Sequence, residues 1–193
     1  IAGLDESTLL YFNIRIVYTY FMEEFLLFFL SIFVFFILIN KLYKNGEVIS
    51  VKSTIDGRNY VVRKLPDAMN AANKLAEINS KVQRLINSLD GFKEGTAKLR
   101  KNYNPDTLSE TGIGAKYTSY SVNKGEKISI CIRQTSDNNF INDNTILFVV
   151  IHELANVMTK SVGHTPEFWD NFRILLRNAR KLGVYKRVNY NEK

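Results

Sequence analysis

The sequence is poor in residues that crosslink chains or bind soft metals. Its 193 residues include a single cysteine, Cys131, so no disulfide can form within the chain. Such sparse cysteine usage suits a reducing compartment. Histidine is almost as scarce, because the chain has only His152 and His164, and both lie in one stretch of fourteen residues. Internal repeats and low-complexity tracts are absent as well.

Charge is distributed unevenly along the chain. Residues 1–24 carry one basic residue, Arg15, against four acidic ones, which gives a net charge of −3. Since the whole chain carries +7, the part after residue 40 carries +10. The uncharged run "FLLFFLSIFVFFILI", residues 25–39, separates these two parts.

The uncharged run predicts a transmembrane helix over residues 25–43. Fifteen residues are short for a bilayer, which needs about 20, but extension through Tyr43 brings the span near that length. A buried core helix is disfavoured, because a helix that is apolar on all faces is hard to bury in a small domain. A cleaved signal peptide is disfavoured because the preceding segment, residues 1–24, is acidic. Residues 45–193 are then predicted to form one domain.

Basic residues directly after the span predict its orientation. Lys41 and Lys44 follow the apolar run, and the positive-inside rule places such residues on the cytosolic side. We therefore expect a single-pass membrane protein whose C-terminal domain faces the cytosol.

Two β-hairpins are predicted after the span. The first, "EVISVKSTIDGRNYVVRKL", turns at Asp56-Gly57, a favoured hairpin dipeptide. The second covers residues 117–133 and turns at "NKGE". Between them, residues 102–116 are predicted to be a loop, since they contain Pro105 and two glycines.

Three main helices are predicted. Residues 66–89 repeat apolar side chains at steps of three and four, which indicates packing on a core, with a dimeric coiled coil as the alternative. Gly91 and Gly95 are expected to end that pattern. Residues 144–159 form a strongly apolar, buried helix. The last helix has Thr165 as its N-cap, Pro166 in its first turn and Gly183 as its stop.

The segment "IHELANVMTKSVGH" resembles an incomplete metal site. His-Glu-x-x-His on a helix is a zinc-peptidase signature, with a third ligand further along the chain and the glutamate as general base. Here His152 can be the first ligand, His164 the third and Glu153 the base. Asn156 occupies the position of the second ligand, one helical turn after His152.

An asparagine at position 156 weakens the expected zinc site. Zinc prefers imidazole, thiolate and carboxylate over an amide oxygen, so zinc is expected to bind weakly or to be lost. Glu167 or Asp170 could supply a carboxylate if the last helix leaned inward. A metal or a charge partner would explain why Glu153 is tolerated on an apolar helix. The alternative is that both histidines are ordinary core or surface residues.

The stretch "HELANVMTKSVGHTPEFWDNF" resembles the small zinc metallopeptidases of the WLM and SprT-like group. Their pattern is roughly HELAH, a short connection, then H-x-x-x-FW. It is matched here by His152, Glu153, Leu154, Ala155, His164, Phe168 and Trp169. The segment is also similar to WLM-like membrane proteins of large DNA viruses, and the resemblance covers about residues 66–183. It implies an α+β fold, in which a small zincin-like domain with antiparallel hairpins and three main helices follows the transmembrane helix.

The resemblance and Asn156 together predict the function. We expect a membrane-anchored, metallopeptidase-like protein with a degenerate zinc site at His152, Asn156 and His164. It would act as a minor capsid or membrane-linking component in the internal membrane or capsid of a large DNA virus, with lipid and capsid proteins as partners. The alternative is an active zinc peptidase that uses Glu153. A nucleic-acid partner is disfavoured, because the basic residues form no reading motif and anionic lipid explains them as well. No small-molecule cofactor is expected.

Overall fold

A computed structural model describes residues 22–40, 47–91, 94–113, 119–123 and 125–188. The chain divides into two compact units, Ile1–Gly46 and Glu47–Lys193. The first holds one described helix, and the second holds a mixed α/β domain. Residues 1–21 of the predicted N-terminal segment and residues 41–43 of the predicted span lie outside the described residues, as does Lys44.

Helix α1, Met22–Asn40, coincides with most of the predicted span. Its mean hydropathy reaches 2.4 over eighteen residues, and none of that stretch is buried within the protein. Ser31 Oγ donates to the carbonyl of Phe28 at 2.7 Å, so the one polar side chain within the apolar run is satisfied inside the helix. At 1.5 Å per residue the helix is about 28 Å long, close to the roughly 30 Å hydrocarbon core. By length and composition it is therefore suited to crossing a membrane.

The second unit is built on one mixed sheet. Among the described residues it has five strands in the order β1-β2-β3-β5-β4. Both predicted hairpins are present as antiparallel pairs, β1 with β2 and β4 with β5. The strands are β1 Val48–Lys52, β2 Asn59–Arg63, β3 Leu108–Glu110, β4 Tyr120–Val122 and β5 Lys127–Ile130.

Strand β3 corrects the prediction of a loop over residues 102–116. It follows a short 3₁₀ turn at Pro105–Thr107 and pairs in parallel with β2 on one side and β5 on the other. All three residues of β3 are buried, including Ser109 and Glu110. A three-residue strand with two polar members shows no alternation, so its pattern resembled a loop although it lies at the centre of the sheet.

Four helices accompany the sheet in the described part of the second unit. They are α2 Ala68–Ser88, α3 Glu94–Asn102, α4 Asp143–Met158 and α5 Pro166–Lys181. The three predicted helices correspond to α2, α4 and α5. The α2 stripe Leu75, Ile78, Val82 and Leu85 is buried in the core, where it joins α4 residues such as Val150 and Leu154. The stripe therefore packs within the domain, as predicted.

Helix α3 was not predicted, because Gly95 was expected to end helical structure. Gly95 lies inside α3, and a Cβ built on it would come within 3.4 Å of Met158 Cε. That distance is an ordinary van der Waals contact, so the packing of α3 on the end of α4 does not require a glycine. Burial of Thr96 and Leu99 stabilises α3 and overrides the low helix propensity of Gly95.

A buried ion cluster joins the sheet to the start of α2. It consists of Arg63, Asp67, Glu110 and Arg133. Arg133 Nε donates to Glu110 at 2.8 Å, and its two terminal nitrogens donate to the carboxylate of Asp67 at 2.7 and 2.8 Å. The backbone N–H of Arg63 donates to Glu110 at 2.7 Å. The side chains of Arg133 and Glu110 are 1% and 0% exposed, so this cluster is part of the core.

Candidate functional site

Helix α4 carries three of the four predicted site residues. Asn142 caps it by accepting from the Asn144 N–H at 2.9 Å, and the apolar run that follows packs into the core. His152 and Asn156 are four residues apart and therefore lie one turn apart on the same side of the helix. Glu153 lies beside them, with its side chain 8% exposed. The helix thus places a carboxylate and two polar groups at the edge of an otherwise apolar surface.

A short loop returns His164 to this edge. The loop leaves α4 at Thr159 and enters α5 through Thr165, whose hydroxyl accepts from the Phe168 N–H at 3.4 Å. Glu167, in the first turn of α5, accepts from the backbone N–H of Lys160 at 3.0 Å and from Ser161 Oγ at 3.0 Å. These bonds tie the loop to α5, and they hold the pKa of Glu167 below its usual range.

The two histidines meet at their Nε2 atoms. His152 Nε2 and His164 Nε2 are 3.1 Å apart, and their rings cross at 79°. Two imidazoles bound to one tetrahedral zinc at about 2.0–2.1 Å place their nitrogens about 3.3 Å apart. The pair therefore has the spacing of two ligands of one metal, and the same spacing suits an N–H···N hydrogen bond between neutral rings.

Aromatic rings support the histidine pair. The ring of Phe168 lies 5.0 Å from that of His152 and 4.5 Å from that of His164. Phe172 contacts His152 from the next turn of α5, and Trp169 contacts His164. This packing fixes both imidazoles, so the Phe-Trp pair of α5 has a direct structural role at the site.

Among the described residues, the polar neighbours of Glu153 lie at long hydrogen-bonding distances. Its Oε1 lies 3.6 Å from His152 Nδ1, and its Oε2 lies 3.4 Å from the amide nitrogen of Asn156. Asn156 Nδ2 therefore donates toward the carboxylate that would serve as general base. A histidine at position 156 would instead present a ring nitrogen on the side of α4 that carries His152.

An open cleft of about 590 Å³ adjoins the site. Strand β4, the last strand in the sheet order, forms one wall, and the loop before α5 forms another. Gly125, with φ +111°, lets the β4–β5 turn approach within contact distance of Val157, which holds β4 against α4. The lining residues are Ser119, Tyr120, Ser121, Asn123, Glu153, Asn156, Val162, Gly163 and His164.

The side chains at the site offer an incomplete ligand set for zinc, the metal that the resemblance to zinc peptidases implies. A catalytic zinc site has three protein ligands and one open position. The described residues bring two imidazoles together, but no group of three or more His, Cys, Asp or Glu side chains converges among them. The amide of Asn156 is turned toward Glu153. The site therefore does not match a three-ligand zinc centre.

The two carboxylates considered as substitute ligands are engaged elsewhere. Glu167 accepts from the loop at Lys160 and Ser161. Asp170 accepts from Arg173 Nη1 at 2.8 Å, with both side chains well exposed. Neither completes the histidine pair in this structure.

The β4 wall of the cleft was not identified from the sequence. Tyr120 and Ser121 line the cleft. The sequence predicts their strand but not the position of that strand at the edge of the sheet. The hairpin pattern marked a strand, whereas the edge position depends on β3, which the sequence did not reveal.

Comparisons with known proteins identify the family of the chain. The WLM domain family matches residues 53–192. The chain is 30% identical over 152 residues to protein R325 of Acanthamoeba polyphaga mimivirus, covering 75% of this chain and 77% of that protein. It is also 33% identical over 95 residues to protein 136R of Invertebrate iridescent virus 6, covering 48% and 53% of the two chains.

Solved structures of Wss1 are similar as well. Wss1 from Saccharomyces cerevisiae aligns with a TM-score of 0.49 at 22% identity, over 63% of this chain and 89% of that one. Wss1 from S. pombe aligns with a TM-score of 0.46 at 21% identity, over 61% and 87%. The family match spans the whole region in which the resemblance was found, and extends it at both ends. The chain therefore belongs to the WLM family of metallopeptidase-like proteins, with relatives among viral proteins.

Proposed function

We propose that this protein is a membrane-anchored, structural member of the WLM family whose zinc site has degenerated. In this proposal α1 crosses a membrane, and the C-terminal domain lies on its cytosolic side. The protein is a minor capsid or membrane-linking component of a large DNA virus, located at the internal membrane or capsid.

The observation that carries the proposal is the environment of Asn156. It occupies the position of a second zinc ligand, yet its amide nitrogen lies 3.4 Å from Glu153. Burying a carboxylate costs free energy unless a donor or a cation compensates it. The amide N–H of Asn156 supplies a donor to Glu153, so the site has a means of persisting without a metal.

Two further observations support the membrane and virion parts. The described residues contain one helix, α1, that is long and apolar enough to cross a membrane. The relatives named above come from a mimivirus and an iridescent virus. A membrane helix joined to a domain with a degenerate zinc site suits a protein that connects a membrane to a viral capsid.

The structural role is tested by quantifying the protein in purified particles of the virus that encodes it. We expect a fixed copy number per particle, resistance to alkaline carbonate extraction, and release when detergent dissolves the membrane. Absence from purified particles would contradict the structural role, and extraction by carbonate would contradict the membrane anchor.

An active membrane-anchored peptidase is the second candidate. The 3.1 Å approach of His152 and His164 favours it, as does the position of Glu153 in an open cleft. It predicts cleavage of unfolded protein substrates in the presence of zinc, abolished by Glu153→Gln. We expect no cleavage by the native chain beyond that of Glu153→Gln, and a clear difference between the two would establish the peptidase.

A further inference from the structure

The outer side of α5 carries a concentration of positive charge. Residues 173–187 contain six basic residues and no acidic ones. All six are exposed. This surface, named the basic face, consists of Arg173, Arg177, Arg180, Lys181, Lys186 and Arg187.

The basic face lies opposite the buried side of α5. Successive helical residues are rotated by about 100°, so the basic positions on α5 fall within a sector of about 100°. The buried residues of α5 occupy a separate sector, roughly half a turn away. They are Phe168, Phe172, Leu175 and Ala179. Packing on the domain therefore leaves the basic face toward solvent.

The end of α5 holds the rest of the basic face in place. Gly183 has φ +66°, the N–H of Val184 donates to the Ala179 carbonyl at 2.9 Å, and the N–H of Gly183 donates to Arg180 at 3.1 Å. This is a Schellman motif. The next residues are fixed to the start of α4, because Lys186 and Asn144 exchange hydrogen bonds at 2.8 and 2.7 Å. The backbone of Lys186 is thus held at the start of α4, directly after the end of α5.

Interactions within the domain account for only part of this charge. Arg173 pairs with Asp170. Arg180 and Lys181 lie in the last turn, where cations are favoured by the helix dipole. Within the part of the chain that the structure describes, no ion pair is formed by Arg177, Arg180 or Lys181. A concentrated, unneutralised surface of one sign favours an anionic partner.

We propose that the basic face docks the domain on the headgroups of an anionic lipid membrane; this rests on the proposed anchoring by α1. Six residues separate Asn40 from Glu47. Fully extended, that connection reaches about 25 Å, so an anchored domain begins close to the headgroups. Each Lys or Arg near an anionic surface strengthens binding by about fivefold. Residues 173–187 contain one aromatic side chain, Tyr185, which is buried and so offers no ring on which bases could stack; this disfavours single-stranded nucleic acid.

The docking is tested with the 193-residue chain reconstituted in vesicles. The single tryptophan, Trp169, lies on α5 and is 44% exposed, so energy transfer from it to dansyl-labelled headgroups reports the approach of this helix. The variant carries Arg177→Glu, Arg180→Glu and Lys181→Glu. The matched control carries Arg84→Glu, Lys101→Glu and Lys127→Glu, which change the charge equally at exposed positions on α2, α3 and β5.

In neutral phosphatidylcholine we expect weak transfer from all three proteins. Phosphatidylserine should raise transfer in the native chain and the control, and high salt should reverse the increase. The variant should show no lipid dependence, since loss of the three positive charges alone lowers the docking equilibrium by about 100-fold, and the three added carboxylates lower it further. Equal transfer with neutral and anionic lipid in the native chain would overturn the proposal. Retention of duplex DNA by the native chain but not by the variant, with no lipid dependence, would overturn it in favour of nucleic acid.

Vesicle flotation separates this proposal from the membrane anchor. If the native chain, the variant and the control all float with neutral vesicles after carbonate treatment, the membrane anchor is supported. The energy-transfer measurement then tests the docking. If the native chain floats only with anionic vesicles and the variant does not float, the docking proposal is supported and the membrane anchor is overturned. Flotation with neither kind of vesicle overturns both.

Discussion

Two acidic residues of the domain are buried in contrasting ways. Glu110 lies in the buried ion cluster, where it accepts from Arg133 at 2.8 Å and from the Arg63 backbone at 2.7 Å. Glu153 lies at the edge of the cleft, where its nearest polar contacts are 3.4 and 3.6 Å away. The first carboxylate is fully engaged in holding the fold together. The second has longer polar contacts and lines an open cleft, so the packed core depends on it less.

The largest effect is expected from Glu110→Gln. The substitution keeps the shape of the side chain. It removes the buried negative charge that partly neutralises Arg63 and Arg133. We expect the free energy of unfolding to fall by about 3 kcal/mol, as when one partner of a buried ion pair is removed. Urea unfolding of the chain in lipid nanodiscs, followed by near-UV circular dichroism, measures this. A loss below about 1 kcal/mol would show that Glu110 is as dispensable as Glu153.

Asp67→Asn should have a smaller effect, because Asp67 is 38% exposed. Hydrogen bonds from Arg133 hold the pKa of Asp67 below its ordinary value. The stabilisation is therefore complete above about pH 4 and is lost as the pH falls through the lowered pKa. We expect a loss of about 1 kcal/mol at neutral pH that shrinks in acid.

The control for the ion pair between Asp67 and Arg133 is Asp170→Asn, which removes an exposed partner of Arg173. It should change stability by no more than a few tenths of a kcal/mol at any pH. Equal losses in the two variants would mean that the contact of Asp67 with the buried arginine adds nothing.

Between the two buried glutamates, Glu153→Gln is expected to have the smaller effect. No lysine or arginine forms an ion pair with Glu153 among the described residues, so removal of its charge also removes a desolvation cost. We expect stability to change by less than about 1 kcal/mol, or to rise slightly. Thermal unfolding beside the native chain measures this. A loss comparable to that of Glu110→Gln would show that Glu153 has a strong partner, and the contrast between the two carboxylates would fail.

The parts of the fold that carry local signals were predictable. The caps of α5, the apolar stripe of α2 and the hairpin turns follow from near neighbours in sequence. Strand β3 was missed because its burial depends on β2 and β5, which are distant in the chain. Helix α3 was missed because Gly95 indicated a break in helical structure, whereas burial of Thr96 and Leu99 in the domain stabilises the helix.

The site was predictable to a similar extent. The motif identified His152 and His164, and the structure brings their Nε2 atoms together. The need of Glu153 for a partner was foreseen from its apolar surroundings, but the amide of Asn156 as that partner was not. The buried ion cluster had no sequence signal, because its members are separated by up to 70 residues.

The most direct test of a degenerate site is the zinc content of the purified chain beside Asn156→His. We expect the native chain to retain little zinc after dialysis, and Asn156→His to retain close to one ion per chain, because a third imidazole completes the ligand set. Adding His164→Ala to Asn156→His should abolish that retention and so confirm where the ion binds. Near-stoichiometric zinc in the native chain would contradict the account, since another group would then complete the site and the peptidase would become the favoured function.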